Sequence, residues 1–411
     1  MKPTVLIATT SQWFSTARLA MALVDAGCIV DAVCPPQHPL RTTNVVRRTY
    51  TYHGLTPVYS FTEAISASKP DLIVPADDLS TQHLHKVYQR QCRDAKAKSP
   101  VCAVIERSLG AAESFPVVYA RTTFLELAKA EGVRVPKTDV ITNLADLRNW
   151  VDRVGLPAVL KADGTSGGEG VRVVRTMDEA ESAFRRLQAP PMVARALKWA
   201  LIDRDMTLIW PTLLRRRSMV NAQTFVEGRE ATSLVACWQG TVLAALHFEV
   251  LNKQNAAGPA TVLRLVENPE MQAAAEKMVR RLNLSGLHGF DFMLEAGTGN
   301  AYLIEINPRA TQVVHLTLGP GRDLPAALYA AVSGEAYQAG PKLTENDTIA
   351  LFPGEWLRNP GSAFLRSAYH DVPWREPGLV RAGVHKPRQW GGWYLQRKWM
   401  RVFSGARLHR L

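Results

Sequence analysis

The alternation of apolar and polar residues predicts an α/β unit at the start of the chain. The run TVLIATT predicts a buried strand, STARLAMALVDAGC an amphipathic helix that ends at Gly27, and IVDAVCP a second strand. A later run, PDLIVPADD, predicts another strand with Asp77 and Asp78 at its carboxyl end, the edge at which open α/β sheets bind ligands. We therefore expect residues 1–115 to form a domain with a parallel sheet.

From residue 116 the pattern predicts a second domain, of α+β type, that extends to residue 335. Helices are predicted at RTTFLELAKAEGV and PEMQAAAEKMVRRLNL, and antiparallel strands at AQTFVEGREATSLVACWQGTVLAALHFEV. LHGFDFMLEA and AYLIEIN are joined by the turn GTGN, which is typical of a β-hairpin. After residue 336 the chain is rich in Pro and Trp and shows no clear periodicity, so we expect residues 336–411 to be a C-terminal extension.

The composition is that of an ordinary globular protein, with 411 residues and 46% hydrophobic content. The formal charge of +12 favours an anionic partner such as a nucleotide, a nucleic acid or a lipid surface. The five cysteines show no metal-ligand spacing, and we interpret them as reduced thiols of a cytosolic protein. MKPTVLIATTSQWF is expected to be a first strand rather than a signal peptide, and no window is apolar enough to span a bilayer.

The stretch LKADGTSGGEGVRVV is the first candidate for chemistry. Lys161 ends an apolar strand and is followed by several glycines, namely Gly164, Gly167, Gly168 and Gly170. Glycine lets backbone N–H groups approach phosphate oxygens closely, and lysine supplies a positive charge. The stretch therefore indicates a phosphate-binding loop. The alternative is an ordinary flexible hairpin turn.

A second candidate lies on the two arms of the predicted hairpin. Glu305, Asn307 and Arg309 stand two residues apart on one arm, so they share a face, and Asp291 lies on the other arm. Mg²⁺ takes oxygen ligands, usually one or two carboxylates together with substrate phosphates. Arg309 adds a donor fork that suits a phosphate or a carboxylate. The alternative is a structural network of salt bridges across the two strands.

In order along the chain, these features resemble the ATP-grasp superfamily, which includes biotin carboxylase, the carbamoyl phosphate synthetase large chain and D-alanine–D-alanine ligase. The resemblance runs from Arg121 to Gly334, follows an N-terminal domain of the pre-ATP-grasp kind and implies a fold of two subdomains, with a lid at about residues 135–222. The helix from Arg121 to EGV, the lysine and glycine loop, and the Glu-x-Asn-x-Arg strand match the family pattern. The family's hinge, which holds adenine and ribose, corresponds to Gln223, Phe225, Val226 and Glu230.

The resemblance implies an ATP-dependent ligase that joins a carboxylate to an amine through an acylphosphate. ATP would contact Arg121, Lys161, the glycine loop and the hinge. Two Mg²⁺ (or Mn²⁺) ions would be held by Asp291, Glu305 and Asn307, and Arg309 together with Lys161 would serve catalysis. Two alternatives stay open. One is an enzyme of the biotin carboxylase or carbamoyl phosphate type that forms carboxyphosphate, and the other is a nucleotide-binding regulatory protein without turnover.

Two basic, aromatic stretches and two single residues lie outside that pattern. Residues 190–220 and residues 386–411 carry Trp and Arg, and each fits either a packed segment or one lying on an anionic membrane surface. Nucleic acid is disfavoured because no nucleic-acid module accompanies the charge. His315 is a candidate contact to the carboxylate substrate and is equally well explained as a structural histidine. Lys253 is a candidate contact to a phosphate, although a solvated loop lysine is the commoner case. We expect a cytoplasmic protein, either free or peripheral to the inner face of the membrane, that takes a small-molecule carboxylate and an amine as substrates. The sequence leaves open whether it is a monomer or a homodimer.

Overall fold

The computed structural model describes residues 2–92, 99–163, 170–189, 218–256 and 258–385, and these residues form three sheets. The strands are β1 (Thr4–Ala8), β2 (Ile29–Cys34), β3 (Arg48–Thr51), β4 (Leu72–Pro75), β5 (Thr138–Ile141), β6 (Ala158–Ala162), β7 (Val171–Val174), β8 (Val220–Thr224), β9 (Gly228–Trp238), β10 (Thr241–Lys253), β11 (Ala260–Leu265), β12 (Gly286–Glu295), β13 (Ala301–Asn307), β14 (Thr348–Leu351) and β15 (Tyr369–Asp371). The α-helices are α1 (Phe14–Asp25), α2 (Pro57–Ser68), α3 (Asp78–Cys92), α4 (Pro100–Leu109), α5 (Arg121–Ala130), α6 (Leu144–Val154), α7 (Met177–Gln188), α8 (Pro269–Arg281), α9 (Leu324–Ser333), α10 (Gly354–Arg358), α11 (Phe364–Ser367) and α12 (Pro377–His385).

The N-terminal domain contains a four-stranded parallel sheet in the order β3-β2-β1-β4, which confirms the predicted α/β fold. Alternate residues of β1 pack in two different hydrophobic cores, because side chains point to opposite faces along a strand. Leu6 and Ala8 pack with α2, α3 and α4, whereas Val5 and Ile7 pack with α1 and with the large sheet of the next domain. Both faces of this sheet are therefore covered.

The large sheet has seven strands in the order β13-β12-β9-β10-β11-β14-β15. The predicted antiparallel strands and the β12–β13 hairpin are confirmed. The last two strands come from the segment after residue 336, for which the sequence showed no periodicity. β14 pairs antiparallel with β11, and β15 pairs parallel with β14. The described part of this segment therefore completes the large sheet.

The small sheet has four strands in the order β5-β8-β6-β7 and lies in the region predicted to be a lid. Helices α6 and α7 pack on it, and their apolar side chains form a separate core with Leu160, Trp150 and Phe184. The strand β8 leads directly into β9 of the large sheet through residues 225–227. The two sheets are thus joined by a short connection and otherwise have separate cores.

The N-terminal domain holds the loop that follows β13. The Ala310 backbone N–H donates to the carbonyl of Pro75 at 2.9 Å. The Thr81 hydroxyl donates to the carbonyl of Pro308 at 3.0 Å. These contacts bring the carboxyl ends of β4 and β13 together.

The expectation that the cysteines are reduced is wrong for Cys92 and Cys102, which form a disulfide between α3 and α4, while Cys28, Cys34 and Cys237 are free and buried. The two cysteines are only ten residues apart, but their spacing alone does not show that α3 and α4 pack side by side and bring the thiols together. None of the helices among the described residues is long and apolar enough to cross a bilayer. Residues 190–217 and 386–411 lie outside the described residues.

Candidate active site

The two acidic residues predicted to bind metal lie directly opposite each other on the β12–β13 hairpin. Asp291 pairs with Glu305 in the register, and the next pair is Phe292 with Leu303, so Ile304 forms a β-bulge. Asn307 donates its amide to Oδ2 of Asp291 at 2.9 Å. Burial and the nearby Glu305 carboxylate raise the pKa of Asp291 to about 6. Two carboxylates held this close repel each other unless a cation lies between them.

Thr232 supports this arrangement from the neighbouring strand β9. Its hydroxyl donates to Oδ1 of Asp291 at 2.9 Å, so each oxygen of that carboxylate accepts one fixed hydrogen bond. Nothing in the sequence pattern singles out Thr232. Only the pairing of β9 with β12, in which Thr232 lies opposite Asp291, reveals its role.

Arg121 is the first residue of α5 and bridges the two sheets. Its Nη2 donates to Oε2 of Glu305 at 2.8 Å, and its Nη1 donates to Oδ1 of Asp163 at 3.1 Å. Only 11% of the Arg121 side chain is exposed. Asp163 directly follows β6, so Arg121 contacts one carboxylate from each sheet. The sequence identified Arg121 and Glu305 but not Asp163.

Lys161, on β6, is a buried cation with 5% of its surface exposed. Burial lowers its pKa to about 8, and repulsion from Arg121 acts in the same direction. The carboxylates of Glu305 and Asp291 act in the opposite direction. Among the described residues, no hydrogen-bond or ion-pair partner contacts its ammonium group. A buried, unpaired ammonium is costly and indicates that a negatively charged ligand completes this site.

Arg309 is held at the boundary between the large sheet and the N-terminal domain. Its Nε lies 3.0 Å from Oδ1 of Asp78, and its Nη2 donates to Oδ1 of Asn307 at 3.1 Å. Asp78 is the first residue of α3, at the edge where the sequence placed candidate ligand contacts. The neighbouring Asp77 has a structural role, since it accepts hydrogen bonds from Thr10 and from other residues of the loop after β1.

The predicted hinge residues lie where the small sheet joins the large one. Gln223 is buried near the end of β8, and its side-chain amide donates to the hydroxyl of Thr138 at 3.1 Å. Phe225 and Val226 are partly buried in the connection itself. Glu230, on β9, is exposed and pairs with Lys253 at an Nζ–Oε1 distance of 2.6 Å. Lys253 therefore lies beside the predicted ribose contact.

His315 lies apart from this cluster, in a buried network. Its Nε2 is 2.7 Å from Oδ2 of Asp371, and Asp371 also pairs with Arg18 of α1. Both His315 and Asp371 are almost fully buried. The structure thus joins His315 to β15 and α1 and does not bring it to Arg309.

The glycines Gly164, Gly167 and Gly168 lie outside the described residues. Within the described ranges, no three His, Cys, Asp or Glu side chains form a cluster that could hold a metal by themselves. Asp291 and Glu305 are two carboxylates with the Asn307 amide beside them. This set is too small for a closed structural metal site, but it is the set that Mg²⁺ uses when phosphates supply further ligands.

A family model described as the carbamoyl-phosphate synthase L chain, ATP binding domain, matches residues 120–318. Acetyl-CoA carboxylase of Dictyostelium discoideum is 25% identical over 175 residues, which are 43% of this chain and 7% of that protein. The carbamoyl phosphate synthase large chain of Beutenbergia cavernae is 25% identical over 227 residues, which are 54% of this chain and 18% of that protein. The chain thus spans less than a fifth of the length of these two relatives.

Solved structures show the same fold over most of the chain. An N5-carboxyaminoimidazole ribonucleotide synthetase solved with ADP has a TM-score of 0.57 at 15% identity, covering 83% of this chain and 79% of that one. The biotin carboxylase domain dimer of the Hydrogenobacter thermophilus 2-oxoglutarate carboxylase, solved with MgADP and bicarbonate, has a TM-score of 0.57 at 16% identity, covering 82% of this chain and 71% of that one. Residues 120–318 thus match the ATP-binding domain of the carbamoyl-phosphate synthase L chain, and most of the chain has the fold of these solved structures.

Proposed function

We propose that the chain is an ATP-dependent ligase that joins a carboxylate to an amine through an acylphosphate intermediate, releasing ADP and phosphate. The observation that carries the proposal is Lys161, a buried ammonium group without a described partner, close to the Asp291–Glu305 pair. A polyphosphate would supply the missing negative charge, and a divalent cation would separate the two carboxylates.

Lys161 and Arg121 would bind the phosphates of ATP. Lys161 offers a point charge, and Arg121 offers a planar fork whose two Nη atoms already bind oxygen atoms of carboxylates. The base and ribose would lie along the connection between the sheets, against Gln223, Phe225, Val226 and Glu230. This placement puts the phosphates beside the β12–β13 hairpin and the base at the hinge.

Asp291, Glu305 and Asn307 fit Mg²⁺, because they place two carboxylates and an amide on one hairpin. The amide oxygen of Asn307 accepts a hydrogen bond from Arg309 and keeps a second lone pair for an ion. When bound, the ion supplies positive charge that neutralises the phosphates during transfer. Thr232 and the bulge at Ile304 fix the directions of the two carboxylates before any ligand binds. The chain's own contribution is thus preorganised electrostatics.

Arg309 would orient the carboxylate substrate or the phosphoryl group that it receives. Its guanidinium is held by Asn307 on one side and by Asp78 of the N-terminal domain on the other. A planar donor fork pairs with two oxygens at once, so it fixes both the position and the direction of a carboxylate. Holding the two reactants in contact is the main requirement of this chemistry.

A second candidate is an enzyme that forms carboxyphosphate from bicarbonate. The names of the similar proteins favour it, since they include carboxylases, carbamoyl phosphate synthases and a biotin carboxylase domain solved with bicarbonate. A regulatory protein without turnover is a weaker candidate, because Asp291, Glu305, Asn307 and Lys161 are all present and lie together.

A phosphate-release screen tests the function. The full chain with Mg²⁺ and ATP is offered pooled carboxylates, including bicarbonate, in combination with pooled amines. We expect at least one pair to stimulate phosphate release, and bicarbonate alone to do so if the second candidate is right. Glu305→Gln should abolish the stimulated rate, while Glu131→Gln, which removes a surface ion pair with Arg281, should preserve it. Phosphate release by Glu305→Gln at the wild-type rate would refute the metal assignment.

The assembly and membrane hypotheses belong to the same proposal. A homodimer is supported by the biotin carboxylase neighbour, which was solved as a dimer. Sedimentation of the full chain at several concentrations tests it. The membrane hypothesis concerns residues 386–411, and flotation with anionic liposomes, with and without that segment, tests whether it attaches the protein to a lipid surface.

A further inference from the structure

Arg121 contacts two carboxylates that differ in what else they do. Glu305, on the large sheet, is a candidate metal ligand and lies 2.8 Å from Nη2. Asp163, beside the small sheet, lies 3.1 Å from Nη1 and is not among the candidate metal ligands. The side chain of Asp163 is 19% exposed, against 31% for Glu305. Arg121 thus contacts one carboxylate that would coordinate a metal ion, Glu305, and one that would not, Asp163.

Glu305 alone is a poor anchor for Arg121 once a divalent cation is present. A carboxylate that coordinates Mg²⁺ shares its negative charge with the ion, so its attraction for the guanidinium weakens. Arg121 then lies beside the added cation as well as beside Lys161, whose pKa its charge already helps to lower. The carboxylate that can keep Arg121 in place under these conditions is Asp163.

Asp163 is itself held firmly. The Asn221 amide donates to Oδ1 of Asp163 at 2.8 Å, and the Thr122 hydroxyl donates to Oδ1 of Asn221 at 2.7 Å. The Asp163 backbone N–H donates to the carbonyl of Met219 at 2.9 Å. Since Thr122 follows Arg121 on α5, these bonds form a closed ring from the first turn of α5 to the small sheet and back. Asn221 is 1% exposed, so the ring is anchored in the interior.

We propose that Asp163 is a positioning residue that keeps the guanidinium of Arg121 at the phosphate site when Glu305 binds the metal ion. Asp163 acts through Arg121, and Asn221 fixes the direction of its carboxylate. This inference rests on the proposed function, because it assigns Arg121 to phosphate and Glu305 to metal.

Calorimetric titration of the full chain with ADP tests the proposal, in excess Mg²⁺ and again in EDTA. With Mg²⁺, Asp163→Asn should weaken ADP binding about tenfold, a typical coupling for residues in direct contact. In EDTA the same variant should bind within about threefold of wild type, because Glu305 then retains Arg121. A merely structural role of Asp163 would weaken binding equally under both conditions and would overturn the proposal.

A double-mutant cycle shows whether Asp163 acts through Arg121. Arg121→Met should weaken MgADP binding, and adding Asp163→Asn to it should cause no further loss. Additive losses would overturn the proposal. Asp163→Glu keeps the charge and should recover part of the affinity. Asp163→Glu also replaces Asp163→Asn in the titrations if the Asn variant has a lowered melting temperature.

Asp139→Asn is the matched control. Asp139 lies on β5 of the same small sheet and accepts hydrogen bonds from Trp150 and Arg153, away from Arg121. This variant should bind MgADP like the wild type. If the wild type itself does not bind MgADP, the proposed function is refuted and this inference with it. If the wild type binds MgADP and Asp163→Asn binds it equally tightly, this inference alone is refuted.

Discussion

Replacing Lys161 by Met should stabilise the fold while it removes nucleotide affinity. Met has nearly the length of Lys and no charge, so it fills the same space on β6 without a buried ammonium group. Lys161 therefore lowers the stability of the fold and raises the affinity for nucleotide. Such a trade-off is expected at a functional site.

The structure gives the size of the effect. Burial, with help from Arg121, lowers the pKa of Lys161 from 10.5 to about 8, which corresponds to about 3 kcal/mol of folding free energy lost at pH 7. Below pH 8 the lysine is charged in both the folded and the unfolded chain, so the full cost is present. Between pH 8 and 10.5 the folded chain releases the proton first, and wild-type stability rises with pH relative to the Met variant.

Thermal melts at pH 7 and at pH 10, with parallel titrations of MgADP, measure both consequences. Lys161→Met should melt about 3 °C or more above wild type at pH 7, with a smaller difference at pH 10, and should bind MgADP about 10- to 100-fold more weakly. Lys129→Met, on the exposed side of α5, should change neither property. A Met variant that melts below the wild type, or that binds MgADP equally well, would refute this interpretation of Lys161.

Three further changes test other parts of the structure. His315→Ala should lower the free energy of unfolding by about 2 to 3 kcal/mol, because Asp371 loses a buried hydrogen bond, and should leave MgADP affinity unchanged. An unchanged melting temperature together with a raised KM for the acid would contradict this structural role and support a substrate contact. Asp323→Ala should cost about 1 to 2 kcal/mol in denaturant unfolding, because its carboxylate caps α9, and an unchanged midpoint would contradict the cap. Asp78→Asn should slow turnover about tenfold or more by releasing Arg309, and its MgADP affinity should stay within about twofold of the wild type. Equal losses in turnover and in MgADP affinity would contradict the proposal that Asp78 positions Arg309 for the second substrate.

The features that depend on short stretches of sequence were predictable. The β12–β13 hairpin follows from two alternating runs joined by a glycine-containing turn, and it places Asp291 opposite Glu305 without knowledge of the rest of the fold. The cap of α9 by Asp323 and its end at Gly334 follow from local backbone chemistry in the same way. The hairpin is therefore predicted from the sequence and confirmed, and the cap of α9 depends on local chemistry of the same kind.

The features that depend on how distant elements dock were not predictable. The contacts of Asp163 and Asn221 with Arg121 and Thr122 depend on the docking of the small sheet against α5, which no local sequence pattern shows. The strands β14 and β15 have 4 and 3 residues, too few for a periodic pattern, and they form because the edge of β11 offers them partners. His315 follows Arg309 closely in sequence, but the chain turns and buries its ring against Asp371.

The most direct test of the central claim is the Mg²⁺ dependence of ADP binding, measured by calorimetry for the wild type and for Glu305→Gln. If Asp291, Glu305 and Asn307 hold the ion that joins the nucleotide to the β12–β13 hairpin, Mg²⁺ should strengthen binding to the wild type about tenfold or more. The Glu305→Gln variant should bind ADP with little or no dependence on Mg²⁺. Equal affinity of the wild type with and without Mg²⁺, or full retention of the dependence in Glu305→Gln, would contradict the account.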